Sequence, residues 1–186
     1  MILYLVRHGE TDFNIQKRYT GSTDIPINCK GIEQANQLAE KLKQNTFDII
    51  ITSSLICAKQ TVEIINKTLN LSIVVINEFS ERNLGVYEGL THDEIKKKHP
   101  DLWERNCIRQ ADDAPTNGET WNEFDNRIKS ALQKLENNYH GKNVLLVAHA
   151  GVAMIINRYY KNLTFEEMCN GFRLGNCEIV EYTIKT

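Results

Sequence analysis

Two short apolar runs, far apart in the chain, each end directly in a histidine. Residues 2–6 (ILYLV) have the length and composition of one buried strand, and Arg7 and His8 follow without a spacer. Residues 144–148 (VLLVA) repeat the pattern and lead straight into His149. Ligands of open α/β sheets bind beyond the carboxyl ends of the strands. One such histidine is usually a loop residue, but two predict a pair of imidazoles at one sheet edge, where Arg7 favours an anion.

The rest of the chain alternates between strand and helix patterns, which predicts βαβ units and a mostly parallel sheet. After the first strand, the predicted strands are 47–51, 73–76, 144–148 and an edge strand 179–184. The predicted helices are one from Gly31, 55–69, 91–98, an amphipathic helix from Trp121 to about His140, and 151–160. The first helix has Ile32, Ala35, Leu38, Ala39 and Leu42 facing inward, Thr52, Ser53 or Ser54 caps the second, and a capping box is predicted at Thr164 and Glu167. The long polar stretch up to Gly118 predicts a cover over the sheet edge.

Composition excludes several other classes of protein. A chain of 186 residues is long enough for one sizeable core, and we expect a single domain over residues 1–186. The net charge of -2, without a long Lys/Arg run, gives no electrostatic basis for binding nucleic acid. No leader-like segment or membrane-length apolar run is present, so we expect a cytoplasmic protein. The five cysteines lack CxxC or Cys/His metal spacing, and we predict no disulfide framework, metal site or cofactor.

The first histidine lies in a motif that is similar to that of a known family. Residues 7–14 (RHGETDFN) resemble the RHG signature of the histidine phosphatase superfamily, also called the phosphoglycerate mutase-like family, and the resemblance extends from Leu3 to about Glu181. It implies a three-layer α/β/α sandwich with a mostly parallel sheet. A helical and loop cover, about residues 91–120, is expected over the C-terminal edge of that sheet. The resemblance implies a metal-independent phosphatase activity.

The resemblance assigns roles to the residues of both strand ends. The first histidine of the family motif is the phosphorylated nucleophile and the later one binds the phosphoryl group; these positions are His8 and His149 here. The planar guanidinium of Arg7 suits a phosphate, and a protonated His149 would stabilise charge on the transferring oxygens. The remaining predicted phosphate-binding residues are Asn14, Thr20, Gly21, Arg82 and Ala150.

The leaving oxygen needs a proton, and four carboxylates lie in candidate loops: Glu10, Glu81, Glu88 and Glu119. Spacing alone does not choose among them. The resembled family carries its general acid four residues before a glycine, which corresponds to Glu81 before Gly85. The alternative for Glu81 is a surface carboxylate paired with the arginine that follows it. We expect Glu88 to be structural, and Glu119 either to organise the helix after it or to contact substrate.

One position departs from the family pattern. Residues 53–61 (SSLICAKQT) are similar to the stretch that supplies a second phosphate-binding arginine at a helix start, and the matching residue is Cys57. A thiol carries no positive charge near neutral pH and is a weak donor, and Lys59 points to another side of the helix. The helix N-terminus and Ser54 would still favour an anion, so we expect weaker phosphate binding. As an alternative, Cys57 is a reactive thiol acidified by the helix terminus.

Three functions remain open in order of preference. The first is a phosphatase that acts on a small phosphorylated metabolite. The second is a phosphoglycerate-type mutase with the same His8, Glu81 and His149; the short cover and Cys57 favour hydrolysis over transfer. The third is a phosphate-ester-binding module without catalysis.

The substrate is not determined by the sequence. Sugar phosphates, phosphoglycerate, ribazole phosphate and phosphoserine all stay open, and so does the oligomeric state. We expect specificity to come from Trp103, Arg105 and Arg109 in the cover.

Overall fold

One five-stranded sheet forms the centre of the computed structural model, which describes residues 1–184. The strands are β1 (Ile2–Arg7), β2 (Ile49–Thr52), β3 (Ile73–Val75), β4 (Asn143–Ala148) and β5 (Ile179–Thr183). Their order across the sheet is β3-β2-β4-β1-β5. The pairs β2–β3, β2–β4 and β1–β4 are parallel, and β5 runs antiparallel to β1 at the edge. The predicted mostly parallel sheet with a final edge strand is confirmed.

Eight helices surround this sheet within residues 1–184. They are α1 (Asp12–Ile15), α2 (Cys29–Leu42), α3 (Ile56–Leu69), α4 (His92–Lys98), α5 (Pro100–Glu104), α6 (Trp121–Asn138), α7 (Ala150–Lys161) and α8 (Phe165–Asn170). The capping box predicted at the start of α8 is present: the Thr164 hydroxyl accepts from the Glu167 N–H, and the Glu167 carboxylate accepts from the Thr164 N–H.

Helices pack on both faces of the sheet because successive strand side chains point to opposite sides. One face buries residues of β1, β2 and β4 against α2 and α3, including Val6, Ile50, Leu145, Leu38, Val62 and Ile65. The other face packs them against α6 and α7, including Leu5, Ile51, Leu146, Phe124, Ile128 and Val152. The predicted three-layer α/β/α sandwich is confirmed.

Several predicted details are wrong. Helix α2 begins at Cys29 rather than Gly31 because the Asn28 side chain caps it, accepting from the Gly31 N–H at 2.9 Å. Ile32 does not face inward and is 44% exposed. Strand β3 ends at Val75 and lies at the sheet edge. Its apolar run therefore does not reflect burial on both faces, and Val75 is 51% exposed.

Residues 91–120, which we call the cover, contain α4, α5 and a 3-10 turn at Cys107–Arg109. They contribute to a small core of their own, formed by Tyr87, Ile95, Leu102 and Cys107. This arrangement agrees with the predicted cover.

Among residues 1–184, no helix has the length and apolar character needed to cross a membrane.

Candidate active site

The two histidines meet because β1 and β4 are adjacent and in register. Arg7 pairs with Ala148, so His8 and His149 both follow directly at the carboxyl ends of their strands. The His8 N–H donates to the Ala148 carbonyl at 3.0 Å. The ring centroids of the two histidines lie 5.2 Å apart with an interplanar angle of 54°, and both residues are buried. The structure thus brings together the pair that the strand ends predict.

The tautomer of His8 follows from its surroundings. Its Nδ1 lies 2.7 Å from the Gly9 carbonyl oxygen, which can only accept, so Nδ1 carries the proton and Nε2 keeps its lone pair. The Gly9 backbone is held in turn, since its N–H donates to Thr61 Oγ1 at 2.9 Å. Burial, reinforced by the charge of Arg7, lowers the pKa of His8 to about 4. His8 is therefore a neutral imidazole with a free nitrogen near neutral pH.

His149 has two close neighbours on its ring nitrogens. Nε2 lies 2.7 Å from Ser53 Oγ, and Nδ1 lies 4.0 Å from Cys57 Sγ. Burial, followed by the neighbouring His8 and by Arg7, lowers the pKa of His149 well below its usual range. The expected protonated form is therefore not the form of the free protein, and an anion in the pocket is needed to favour it. Ser53 was predicted only as a helix cap; the cap position of α3 is Leu55.

Glu81 is held by two backbone N–H groups. Its carboxylate accepts from Gly151 at 2.9 Å and from Arg82 at 2.8 Å. Burial raises the pKa of Glu81 despite these hydrogen bonds, so its protonated form persists to higher pH, as a general acid requires. The alternative of a surface ion pair with Arg82 is wrong, because within residues 1–184 no ion pair joins the two side chains.

Arg82 holds the segment that carries the Glu81 carboxylate. Arg82 is buried, its guanidinium lies 4.5 Å from the Trp121 ring centroid, and its Nε donates to the Glu119 carbonyl at 2.7 Å. Two longer contacts reach the carbonyls of Ile108 (3.4 Å) and Asp113 (3.5 Å) in the cover. Arg82 thus connects this segment to the cover, and its predicted role in phosphate binding stays a prediction.

The other candidate carboxylates have structural partners. Glu119 forms a two-pronged ion pair with Arg127, at 2.9 and 2.8 Å, and Arg127 Nη1 also donates to the Ser80 carbonyl at 3.0 Å. Glu119 therefore organises the start of α6, the first of its two predicted roles. Glu88 accepts from the N–H and hydroxyl of Ser22, which confirms its structural role. Glu10 accepts from an Asn28 amide.

A cavity of about 300 Å³ lies over the two histidines. Every predicted catalytic and phosphate-binding residue lines it, together with Cys57: Arg7, His8, Asn14, Thr20, Gly21, Cys57, Glu81, Arg82, His149 and Ala150. The sequence did not identify its further wall residues, which are mostly apolar: Arg18, Tyr19, Leu55, Leu84, Ile108, Trp121, Gly151 and Met154. The roles of the predicted residues remain predictions, but their meeting in one cavity is a structural fact.

Positive groups at this cavity suit an anion. Arg7 Nη1 donates to the Leu174 carbonyl at 3.1 Å, while its buried Nε has no hydrogen-bond partner within residues 1–184. Ala150 is the first residue of the 12-residue helix α7, whose N-terminus therefore opens on the cavity. The arrangement places a guanidinium and a helix N-terminus at the same cavity as His8.

Cys57 lies in the first turn of α3, as predicted, and is buried. Burial raises the pKa of its thiol to about 12 and outweighs the hydrogen bonds from the backbone N–H groups of Ala58 and Cys57, which lower it. This direction contradicts the alternative of an acidified, reactive thiol. Lys59 is exposed and does not line the cavity, in agreement with the expectation that it does not replace an arginine.

The predicted specificity residues of the cover are misplaced. Trp103 packs in the small core of the cover, 5.7 Å from the His92 ring, and Arg105 forms an ion pair with Asp113 at 3.1 Å. Neither they nor Arg109 line the cavity. The 3-10 turn instead presents Ile108, whose carbonyl accepts from the indole N–H of Trp121 at 2.8 Å. Trp103 is a half-buried packing residue rather than a ligand contact, and composition cannot distinguish the two.

Comparison with known proteins identifies the family. The family model described as "Histidine phosphatase superfamily (branch 1)" matches residues 3–186. The chain is 43% identical over 145 residues to the uncharacterized phosphatase PhoE of Bacillus subtilis (78% of this chain, 69% of that protein). It is 34% identical over 153 residues to the probable phosphoglycerate mutase GpmB of Shigella dysenteriae (82% and 70%). The alpha-ribazole phosphatase structure from Shigella flexneri superimposes with a TM-score of 0.92 at 29% identity, covering 100% of this chain and 91% of that one.

The fold and the family match together define an α/β enzyme. The chain belongs to the histidine phosphatase superfamily. The enzyme class predicted from the sequence, a phosphatase, is confirmed at the level of family and relatives.

Proposed function

We propose that this protein hydrolyses a small phosphate monoester through a phosphohistidine on His8. The observation that carries the proposal is the fixed tautomer of His8, whose Nδ1–H donates to the Gly9 carbonyl and leaves Nε2 as the nucleophile. The low pKa of His8, about 4, keeps that nitrogen unprotonated at neutral pH. No metal is needed to generate a nucleophile of this kind.

The first chemical step forms a bond between His8 Nε2 and phosphorus and breaks the bond from phosphorus to the ester oxygen. Glu81 gives its proton to the departing oxygen, which leaves as an alcohol. The raised pKa of Glu81 supports this role. Arg7 and the N-terminus of α7 stabilise the charge on the three transferring oxygens, and the dianion favours a protonated His149.

The second step returns the enzyme to its starting state. Glu81, now a carboxylate, takes a proton from a water that attacks phosphorus, and the bond to Nε2 breaks. Inorganic phosphate leaves, and Glu81 is again protonated. Two steps with moderate barriers thus replace one difficult step, in which water would attack the negatively charged phosphate ester directly.

The cavity wall supports a substrate whose organic part is partly apolar. The cavity wall includes the apolar side chains Leu84, Ile108 and Trp121. Walls of this kind bind apolar or aromatic groups. Alpha-ribazole phosphate, which the name of the Shigella flexneri relative points to, is therefore the first ester to test. Mutase activity is second, because Cys57 provides no positive charge for a second phosphoryl group.

The test is phosphate release from a panel of esters in the presence of a chelator, with wild type beside His8→Ala. We expect release that survives chelation and falls by roughly 10³-fold or more without His8. His140→Ala is the matched control, since His140 precedes β4 at the opposite end of the sheet. Equal rates for wild type and His8→Ala would refute the covalent mechanism. Transfer to phosphoglycerate without release to water would favour the mutase.

A further inference from the structure

Three potential metal ligands converge at the base of the cavity. One ligand atom from each of His8, Cys57 and His149 lies within 4.8 Å of the other two, and all three residues are buried. They come from three separate elements, since His8 follows β1, Cys57 begins α3 and His149 follows β4. This convergence explains why no metal-binding spacing is visible in the sequence.

Hydrogen bonds orient both imidazoles for this purpose. His8 Nδ1 is engaged with the Gly9 carbonyl at 2.7 Å, which leaves Nε2 available. His149 Nε2 is engaged with Ser53 Oγ at 2.7 Å, which leaves Nδ1, and that nitrogen lies 4.0 Å from Cys57 Sγ. In metal sites, a ligating histidine almost always donates its second ring N–H to an oxygen of the protein. Both histidines have such an oxygen in place.

The donor set determines which ion fits. Two neutral imidazoles and a thiolate suit Zn²⁺, a d¹⁰ ion of intermediate softness that binds tetrahedrally. Bonds of about 2.0–2.1 Å to nitrogen and 2.3 Å to sulfur imply tetrahedral ligand separations of roughly 3.3–3.6 Å. The observed spread of up to 4.8 Å therefore requires the ligand atoms to move closer by about 1 Å when the ion binds. The fourth position is left for water or a phosphate oxygen.

We propose that His8, Cys57 and His149 form a zinc site, and that the bound ion inhibits the enzyme by occupying the lone pair of His8 Nε2. On binding, the Cys57 thiol releases its proton to solvent as the bond from Sγ to zinc forms. The site depends on the cysteine, because an arginine at position 57 would supply a cation in place of a ligand. Zinc binding rests on the geometry alone; only the inhibition rests on the proposed function.

The decisive experiment measures metal binding without activity. Calorimetry with Zn²⁺ on the metal-free chain, and the absorption spectrum with Co²⁺ in place of zinc, are compared for wild type, Cys57→Ser and the control Cys29→Ser. We expect one ion per chain, a thiolate-to-cobalt charge-transfer band in wild type, and at least about 100-fold weaker binding with loss of that band in Cys57→Ser. Cys29 is exposed and lines none of the cavities described, so Cys29→Ser should match wild type.

Two results would overturn the site: no stoichiometric binding by wild type, or identical binding and spectra for wild type and Cys57→Ser. Cys57→Arg is the second variant should Cys57→Ser fail to fold, and it too should lose the cobalt band. A separate phosphate-release assay then tests inhibition by Zn²⁺ and its reversal by chelator. Zinc binding with no effect on turnover would refute the inhibition, whereas a zinc-binding chain without any phosphatase activity would refute the proposed function instead.

Discussion

Gly151 offers the sharpest test of the position of Glu81. It is the second residue of α7, and its N–H donates to Glu81 Oε2 at 2.9 Å. A Cβ added at this glycine would lie 2.4 Å from Glu81 Oε1 and 3.1 Å from Phe124 Cε1. The backbone of Gly151 is helical, so alanine is conformationally allowed there. The substitution Gly151→Ala therefore acts on the carboxylate rather than on the helix.

The size of the effect follows from the contact distance. Ordinary van der Waals contact begins near 3.4 Å, so the carboxylate oxygen has to move by about 1.0 Å. A misplacement of about 1 Å reduces the rate by roughly 10²-fold, which corresponds to about 2.7 kcal/mol of activation free energy. Stability should respond differently, because alanine is favoured over glycine within a helix by up to about 1 kcal/mol. We expect a slow but stable enzyme.

The assay compares kcat on an alkyl phosphate with the unfolding midpoint in urea. The control is Gly141→Ala, in the turn before β4, where φ is +73° and a Cβ would meet nothing within 4 Å. It should lose about 1 kcal/mol of stability, because alanine is strained at positive φ, and should keep full activity. A Gly151→Ala enzyme with kcat within about threefold of wild type, or one that loses activity only as it unfolds, would refute the placement of Glu81.

Two further substitutions test the chemistry of the cavity. In wild type, kcat/KM should fall as pH rises through the raised pKa of Glu81, since the acid must be protonated. Glu81→Gln should remove this limb and lose about 10²–10⁴-fold on an alkyl ester, with a smaller loss on p-nitrophenyl phosphate; an unchanged pH profile would exclude the role. Cys57→Arg should lower KM or raise kcat by about 10–150-fold, from a gain of about 1.5–3 kcal/mol. Unchanged kinetics would mean that another group completes the phosphate site.

The positions of the catalytic candidates could be predicted because strand geometry determines them. Two buried runs that each end in histidine bring the histidines together if the strands are parallel neighbours. The pairing of Arg7 with Ala148 then places His8 and His149 at the same level of the sheet. The carboxylate was harder, since four candidates shared similar loops. Only resemblance selected Glu81, and its backbone N–H donors explain why it can serve.

Features that depend on contacts between distant segments could not be predicted. Nothing in the sequence pairs Ser53 with His149 or brings Cys57 within 4.0 Å of a ring nitrogen. The cover is the clearest failure: Trp103 was expected at the substrate and is part of a small core, while Ile108 lines the cavity. Apolar residues in an irregular segment show no periodicity that indicates which side they face.

The contacts of Arg82 bear on how substrate preference can change within such an enzyme. Its guanidinium reaches the cover through backbone carbonyls of Ile108 and Asp113, and Glu119 adds a third at the end of the cover. A carbonyl is the same whichever side chain its residue carries. Substitutions in the cover can therefore alter what the cavity wall recognises while the neighbouring acid keeps its support. On the proposed mechanism, selectivity and proton transfer are therefore separable, and we expect libraries confined to the side chains of the cover to yield new preferences while Glu81 keeps its position.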